Sequence, residues 1–366
     1  MQISAALVKN PGNSLKIKNL NLDDPKDNEV LIKIIACGIC HTDAVGRDGG
    51  TSPLPLVLGH EGSGIVVKTG KKVNSVKPGD HVVLSFSYCG ECENCRNGHP
   101  GMCEKFNQLN FAGKNFDGTN RISTNNGEKV NTFFGQSSLA NYVVVNENGV
   151  VKVDKDVDLS LLGPLGCGIQ TGAGTVLNYI KPREEQSIAI FGAGAVGLAA
   201  VMAAKIAGVK HIIAINHHGN RLSLAQELGA TEVIDNSEVD AVKAIKRIIP
   251  RGVDYAIDTT GNTGVIKSAI ASLAPAGECV LVGVGGNIEL NLMSDLLLES
   301  KKLSGVVEGD SKPQEFIPKL VKYYKEGLFP FNKLVRFYKF NDEDLNKAFD
   351  DSKNGKVVKP IVVIND

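Results

Sequence analysis

Two rhythms of apolar and polar positions divide the chain. Up to about residue 150, short apolar runs at 30–36, 64–67, 81–84 and 142–145 are broken by turn residues, among them Lys77-Pro78-Gly79-Asp80 before the third run. Runs of this length bounded by turn chemistry predict strands. From Ser187 the period changes. Apolar runs at 187–191, 211–215, 232–235, 253–258 and 279–283 alternate with stretches of helical spacing at 195–207, 221–228, 239–249 and 264–273. Strands alternating with helices in this way predict a parallel, doubly wound sheet. A tail of helix 313–326, strand 334–340, helix 342–353 and strand 361–364 breaks the alternation and reads as a return to the first part of the chain. Residues 104–138, rich in Asn, Gly and Lys, read as a long surface excursion. Phe106, Phe111, Phe116, Phe133 and Phe134 within it argue against disorder.

At 366 residues the chain has room for two domains. Its 40 Lys and Arg balance its 40 Asp and Glu, so no overall field draws it to nucleic acid, acidic lipid or a polyanionic substrate. The uncharged, apolar stretch 188–204 falls short of a membrane span and contains Gly192, Gly194 and Gly197. A Gly-rich turn entering a helix is expected there, not a membrane helix. The N-terminal residues lack a charged region followed by an apolar one, so no signal peptide and a cytoplasmic location are expected.

The eight cysteines change the picture through their distribution. Cys89, Cys92, Cys95 and Cys103 crowd together, whereas Cys37, Cys40, Cys167 and Cys279 are scattered. In a reducing compartment clustered cysteines read as metal ligands. Four thiolates on one tight loop suit a closed, structural zinc site. An iron–sulfur cluster competes, but the spacing to Cys103 and the lack of a following proline or a second set favour zinc. A dispersed constellation comprises Cys40-His41-Thr42-Asp43, Gly59-His60-Glu61-Gly62 and Gly166-Cys167-Gly168. Two Cys and one His would leave a fourth tetrahedral position open, as a catalytic zinc needs. On spacing alone, packing roles for Cys40 and His60 stay open. Cys37 and Cys279 read as buried apolar fillers and His81 as structural; His99 and His211 carry no assignment.

Gly192-Ala193-Gly194-Ala195-Val196-Gly197 follows a predicted strand and opens a predicted helix, the context in which G-x-G-x-x-G reads as a dinucleotide site. The helix N-terminus then faces the pyrophosphate. The next strand should end in an acid that binds the adenosine ribose of NAD. It ends instead at Asn216, followed by His217, His218 and Arg221. Without that carboxylate a 2′-phosphate is accommodated, which favours NADP over NAD. The alternative is that Asn216 hydrogen-bonds the ribose and the two histidines are solvated.

Taken together, Cys37-Gly38-Ile39-Cys40-His41-Thr42-Asp43, Gly59-His60-Glu61-Gly62-Ser63-Gly64, the four-cysteine lobe, Gly166-Cys167-Gly168-Ile169-Gln170-Thr171-Gly172 and the Gly-rich turn resemble the zinc-dependent medium-chain alcohol dehydrogenases, as far as Lys359-Pro360-Ile361. Residues 44–50 and 84–88 are similar to the aryl-alcohol (benzyl alcohol) dehydrogenase branch. The resemblance implies an α/β protein. A GroES-like, β-rich catalytic domain would cover 1–167 with a structural-zinc lobe at 88–104. An inserted Rossmann-type, doubly wound dinucleotide domain would cover 168–304, and 305–366 would return to the first domain, with the active site in the cleft between them.

Residue by residue, the resemblance implies two zinc ions per chain. Cys40, His60 and Cys167 would hold the catalytic one, and Cys89, Cys92, Cys95 and Cys103 the structural one. Glu61 would lie behind the catalytic zinc as an exchanging ligand, Asp43 would orient His60, and Thr42 would begin the proton relay. His41 and Lys359 match positions facing the pyrophosphate, Arg221 the basic residue near the adenosine ribose, and Thr171 and Val284 positions packing the nicotinamide. Two departures stand out: Val45 replaces a relay histidine, and Asn216 replaces the acid. The implied activity is reversible hydride transfer between a bulky primary alcohol, aryl or allylic, and NAD(P), giving the aldehyde. Small side chains at Ser85 and Val45 fit a roomy pocket. A homodimer or homotetramer is implied, with the four-cysteine lobe near a subunit contact. Two rivals are a zinc-free quinone or enoyl reductase, which would lack Cys40, His60 and Cys167, and a non-catalytic zinc-binding scaffold, which would bind no coenzyme.

Overall fold

Strand Glu29–Gly38 runs through the first of two units into which the chain divides. In this computed structural model, which describes residues 1–365, that unit comprises Met1–Gly168, Lys312–Lys322 and the chain from Phe331 on. Glu29–Gly38 pairs antiparallel with Gly62–Thr69, Tyr142–Asn146 and the late strand Lys359–Val363. His81–Leu84, Val150–Lys152 and Val335–Lys339 complete this seven-stranded sheet. Gln2–Val8, Lys16–Leu22, Ile122–Ser123, Lys129–Thr132 and Leu56–Val57 close into a barrel. Barrel and sheet share a core that includes Ile3, Leu20, Val30, Ile32, Ile34, Val57 and Val66. The register Ala36↔Ser63 and Cys37↔Gly62 brings the end of one strand beside the start of the next, so Cys40 and His60 arrive together.

The other unit, Ile169–Ser311 with Tyr323–Pro330, is built on a six-stranded parallel sheet. Its order is Glu232–Asp235, His211–Asn216, Ser187–Phe191, Val253–Asp258, Leu273–Leu281 and Lys302–Gly305. The strands Ser187–Phe191 and His211–Asn216 are buried along nearly their whole length, which explains their unbroken apolar runs. Helix Ala195–Ile206 is buried from Gly197 to Ala204, as expected of a segment apolar on every side. Strand order reverses at Ser187–Phe191, which is flanked by the second and fourth strands. In doubly wound sheets ligands bind at the carboxyl ends beside such a switch point.

Several elements differ from the expectation. Residues 104–138 are not a surface excursion. They supply two barrel strands and bury Leu109, Asn110, Asn115, Arg121, Phe133 and Phe134. The polar ones are buried with partners: Arg121 pairs with Glu29 at 2.7 Å, and Asn110 hydrogen-bonds the backbone of Ser87. Strands Gln2–Val8, Lys16–Leu22 and Lys302–Gly305 and helix His41–Arg47 lie where no element was expected, because their patterns are short or mixed. After Cys167 the chain enters helix Gly168–Gly174, which continues as a π-helix over Thr175–Ile180. No helix among the described residues is long and apolar enough to cross a membrane.

Candidate metal centres and dinucleotide site

Cys40 stands at the start of helix His41–Arg47, and the helix is closed by its own first turn. Asp43 Oδ2 accepts the Cys40 N–H at 3.0 Å. The other oxygen of the same fully buried carboxylate accepts from His60 Nδ1 at 3.0 Å. A carboxylate only accepts, so Nδ1 carries the proton and Nε2 presents its lone pair. His60 Nε2 is buried and has no hydrogen-bond partner. It faces a group formed by Cys40, His60, Glu61 and Cys167, whose ligand atoms all lie within 4.8 Å of one another. Such a set fits a zinc ion, whose borderline-soft character suits thiolate and imidazole donors. Phe134 stacks on the His60 ring at 4.5 Å and Phe133 meets it edge-on at 5.4 Å.

The third donor is set by tight packing around residues 163–166. Ser85 is fully buried and its hydroxyl donates to the Gly166 carbonyl at 2.7 Å, so it braces the approach to Cys167. Glu61 is bound from behind by Lys359 Nζ at 2.8 and 3.0 Å, and Lys359 also donates to the Ile39 carbonyl at 3.2 Å. Burial raises the Glu61 carboxyl above its usual range, against the pull of Lys359. Lys359 is likewise buried, which opposes its charge, but Glu61 and Cys40 hold the ammonium protonated and its pKa high. The Cys40 thiol is held well below its ordinary value by the Cys167 thiol, with Lys359 and His60 adding to that and burial opposing it. Thr42 Oγ1 lies 3.8 Å from Cys40 Sγ. A cavity of about 310 Å³ within this unit is bordered by Ile39, Cys40, His41, Ala44, Val45 and Phe349, among others.

Cys89, Cys92, Cys95 and Cys103 likewise bring their sulfurs within 4.8 Å of one another. Cys89 Sγ accepts the N–H groups of Glu91 at 3.5 Å and Cys92 at 3.3 Å, and Cys103 Sγ accepts the Cys89 N–H at 3.3 Å. Backbone donors around Cys92 bring its pKa down to about 6, whereas burial raises the thiols of Cys95 and Cys103. All four cysteines are free of disulfides, and the set fits a closed tetrahedral ion.

In the second unit the turn 192–197 joins strand Ser187–Phe191 to helix Ala195–Ile206. A Cβ on Gly197 would come within 1.9 Å of the Gly192 carbonyl, so the turn can close only with glycine there. A Cβ on Gly194 would meet nothing within 4 Å, and no side chain caps the helix. This open helix start suits a pyrophosphate. At the next strand end Asn216 is buried and its Nδ2 has no partner. The His217 and His218 rings lie 4.0 Å apart, and burial, then His217 and Arg221, hold the His218 imidazole below its ordinary value. Burial alone also lowers the Arg221 guanidinium. Asp235, the register partner of Asn216, was not singled out from sequence. Its carboxyl is lowered by hydrogen bonds from Ser237 and by the nearby His217 and His218. Thr171 is buried, whereas Val284 is 71% exposed. Cys37 and Cys279 are fully buried, and His211 Nδ1 meets Glu232 at 3.2 Å.

The chain's relatives agree with this chemistry. Residues 26–155 match the family described as alcohol dehydrogenase GroES-like domain, and residues 195–325 match the zinc-binding dehydrogenase family. The chain is 43% identical over 364 residues to a geraniol dehydrogenase of Castellaniella defragrans, covering 98% of this chain and 97% of that protein. The benzyl alcohol dehydrogenase structure from Acinetobacter calcoaceticus is 44% identical with a TM-score of 0.94, covering 100% of this chain and 99% of that one. An alcohol dehydrogenase zinc-binding domain protein from Burkholderia ambifaria matches at 44% identity and a TM-score of 0.96 over 100% of both chains.

Proposed function

The chain belongs to the zinc-dependent medium-chain alcohol dehydrogenases, and we propose that its substrates are bulky primary alcohols, aryl or allylic, interconverted with their aldehydes. Two relatives that share its full length are a geraniol and a benzyl alcohol dehydrogenase, and they support this substrate class. The observation that carries the catalytic assignment is the orphaned, buried His60 Nε2, facing Cys40 and Cys167 with its tautomer set by Asp43.

Cys40, His60 and Cys167 would hold a catalytic zinc, with Glu61 as an exchanging fourth donor. Cys89, Cys92, Cys95 and Cys103 would hold a second, structural zinc. When bound, the catalytic ion supplies a Lewis acid that makes the alcohol acidic near neutral pH, and the coenzyme supplies the hydride acceptor. Thr42 Oγ1 accepts the substrate proton. Val45 has no titratable atom to receive it next, so the proton leaves through water. Lys359 holds Glu61 from behind the metal set, in addition to its proposed role toward the pyrophosphate with His41. The turn at Gly192, Gly194 and Gly197 holds the pyrophosphate, Arg221 stands near the adenosine ribose, and Thr171 and Val284 pack the nicotinamide.

The coenzyme is read as NADP on Asn216, His217, His218 and Arg221, which can accept a 2′-phosphate. Asp235 favours a second reading, NAD, because its carboxylate lies close enough to the two histidines for its pKa to feel them and would repel that phosphate. A homodimer or homotetramer is proposed, supported by the exposed Leu292, Met293, Leu297 and Leu298 near the edge strand Lys302–Gly305.

Initial rates of benzyl alcohol oxidation, on zinc-replete protein with NADP and NAD side by side, test the proposal. A rate well above that with ethanol supports the substrate class, and the preferred coenzyme decides between the two readings of Asn216. No rate on aryl or allylic alcohols with either coenzyme would overturn the substrate assignment.

A further inference from the structure

Glu308 is a buried carboxylate of the second unit that none of the roles above employs. Its Oε2 accepts hydrogen bonds from Gln170 Nε2 at 3.2 Å and Thr171 Oγ1 at 3.3 Å. Donors converging on one oxygen favour the ionised form. Glu308 also begins three consecutive residues with left-handed backbone: φ is 50° at Glu308, 64° at Gly309 and 48° at Asp310. Residues with a Cβ are disfavoured there, and such strain persists where the surroundings overdetermine it, often at ligand sites.

The surroundings do overdetermine it. A Cβ on Gly309 would come within 2.6 Å of the Gln170 carbonyl and 2.8 Å of the Thr171 carbonyl, so the strained turn is pressed directly onto the helix that carries Thr171. Asn178 Nδ2 donates to the Gly309 carbonyl at 3.3 Å from the same helix. By then that helix has become a π-helix, a form frequent at functional sites. Strained backbone and side-chain hydrogen bonds together keep one negative charge beside Thr171.

Given the placement of Thr171 against the nicotinamide proposed above, we infer that Glu308 makes the coenzyme site prefer the oxidised form. The oxidised nicotinamide ring carries a positive charge and the reduced ring none. A carboxylate out of water attracts the first and is indifferent to the second, and the attraction is little screened at a buried site. Glu308 thereby biases the bound couple toward oxidised coenzyme and alcohol, away from reduced coenzyme and aldehyde, and the resting site holds the form that awaits an alcohol.

Equilibrium titration of the wild type, Glu308→Gln and Glu308→Asp with oxidised coenzyme, reduced coenzyme and ADP-ribose tests this. Each ligand is used with or without the 2′-phosphate, as the wild type prefers. Glu308→Gln should weaken the oxidised form about tenfold relative to the reduced form. ADP-ribose, which has no nicotinamide, should bind as it does to the wild type, and Glu308→Asp should keep a ratio nearer the wild-type one. Equal losses for both coenzyme forms, an unchanged ratio, or a parallel loss of ADP-ribose would overturn the role of Glu308. A wild type that binds ADP-ribose but gains nothing from the nicotinamide of either form would overturn the placement of Thr171 and this role with it.

Discussion

Asp43 and His60 share a hydrogen bond of 3.0 Å in which both groups are fully buried. The same Asp43 oxygen accepts the Gly59 N–H at 3.0 Å, and its other oxygen takes the Cys40 N–H. One carboxylate thus sets the imidazole tautomer and anchors the backbone at both Cys40 and Gly59.

Asp43→Ala should therefore act twice. Two backbone N–H groups lose their acceptor, at about 1–3 kcal/mol each, and zinc affinity at the catalytic set falls about 10- to 100-fold. Chelator competition and thermal melts separate the two effects. A lower melting temperature with wild-type zinc affinity would leave Asp43 a purely structural part.

Cys40→Ser should abolish turnover while the protein stays folded, with zinc content dropping from about two to about one per chain. Cys103→Ser should instead lose the other ion and lower the melting temperature, because a structural zinc contributes folding energy directly. Metal analysis beside circular dichroism distinguishes the two variants, and wild-type rates in folded Cys40→Ser would remove Cys40 from catalysis.

The Glu61–Lys359 pair is buried on both sides. Removing one partner strands a charge, so Glu61→Gln and Lys359→Met should each lose about 3–5 kcal/mol, and the double variant should recover much of it. Urea unfolding of the four proteins completes the cycle. Additive losses would show that the two charges do not depend on each other.

Asn216→Asp places a carboxylate where a 2′-phosphate would lie and should shift preference toward NAD by about tenfold or more. Asp235→Asn should shift it the other way. The ratio of kcat/KM for NADP and NAD reports both, and a ratio that neither change moves would place coenzyme choice elsewhere.

Asp117 supplies a pH dependence. Partial burial opposes its charge, but Lys26, Thr119 and Arg121 hold its carboxyl far below the usual range. A lowered folded value stabilises the protein above the unfolded pKa of about 3.9 and is lost as pH falls below it. Asp117→Asn should flatten the loss of stability on acidification from about pH 5. An unchanged acid profile would mean other carboxylates govern it.

The parallel sheet was legible because continuous apolar runs such as 253–258 need both faces covered, and strand Val253–Asp258 lies where that run does. The two cysteine groups were legible because ligand spacing is a local code. Residues 104–138 were not, since hydropathy registers Asn110, Asn115 and Arg121 as polar and is blind to the partners that let them be buried. Asp235 and Glu308 belong to no motif, and only strand register and backbone strain bring them beside the residues that matter.

Phe134 lies nearly parallel to the His60 ring, with the planes 27° apart. The aromatic ring current of a phenyl at that distance shields the protons of the imidazole it faces and moves their resonances upfield. His60 therefore carries a magnetic signature set by the segment 104–138, and its chemical shifts report whether that segment is seated without any substrate, coenzyme or metal being added.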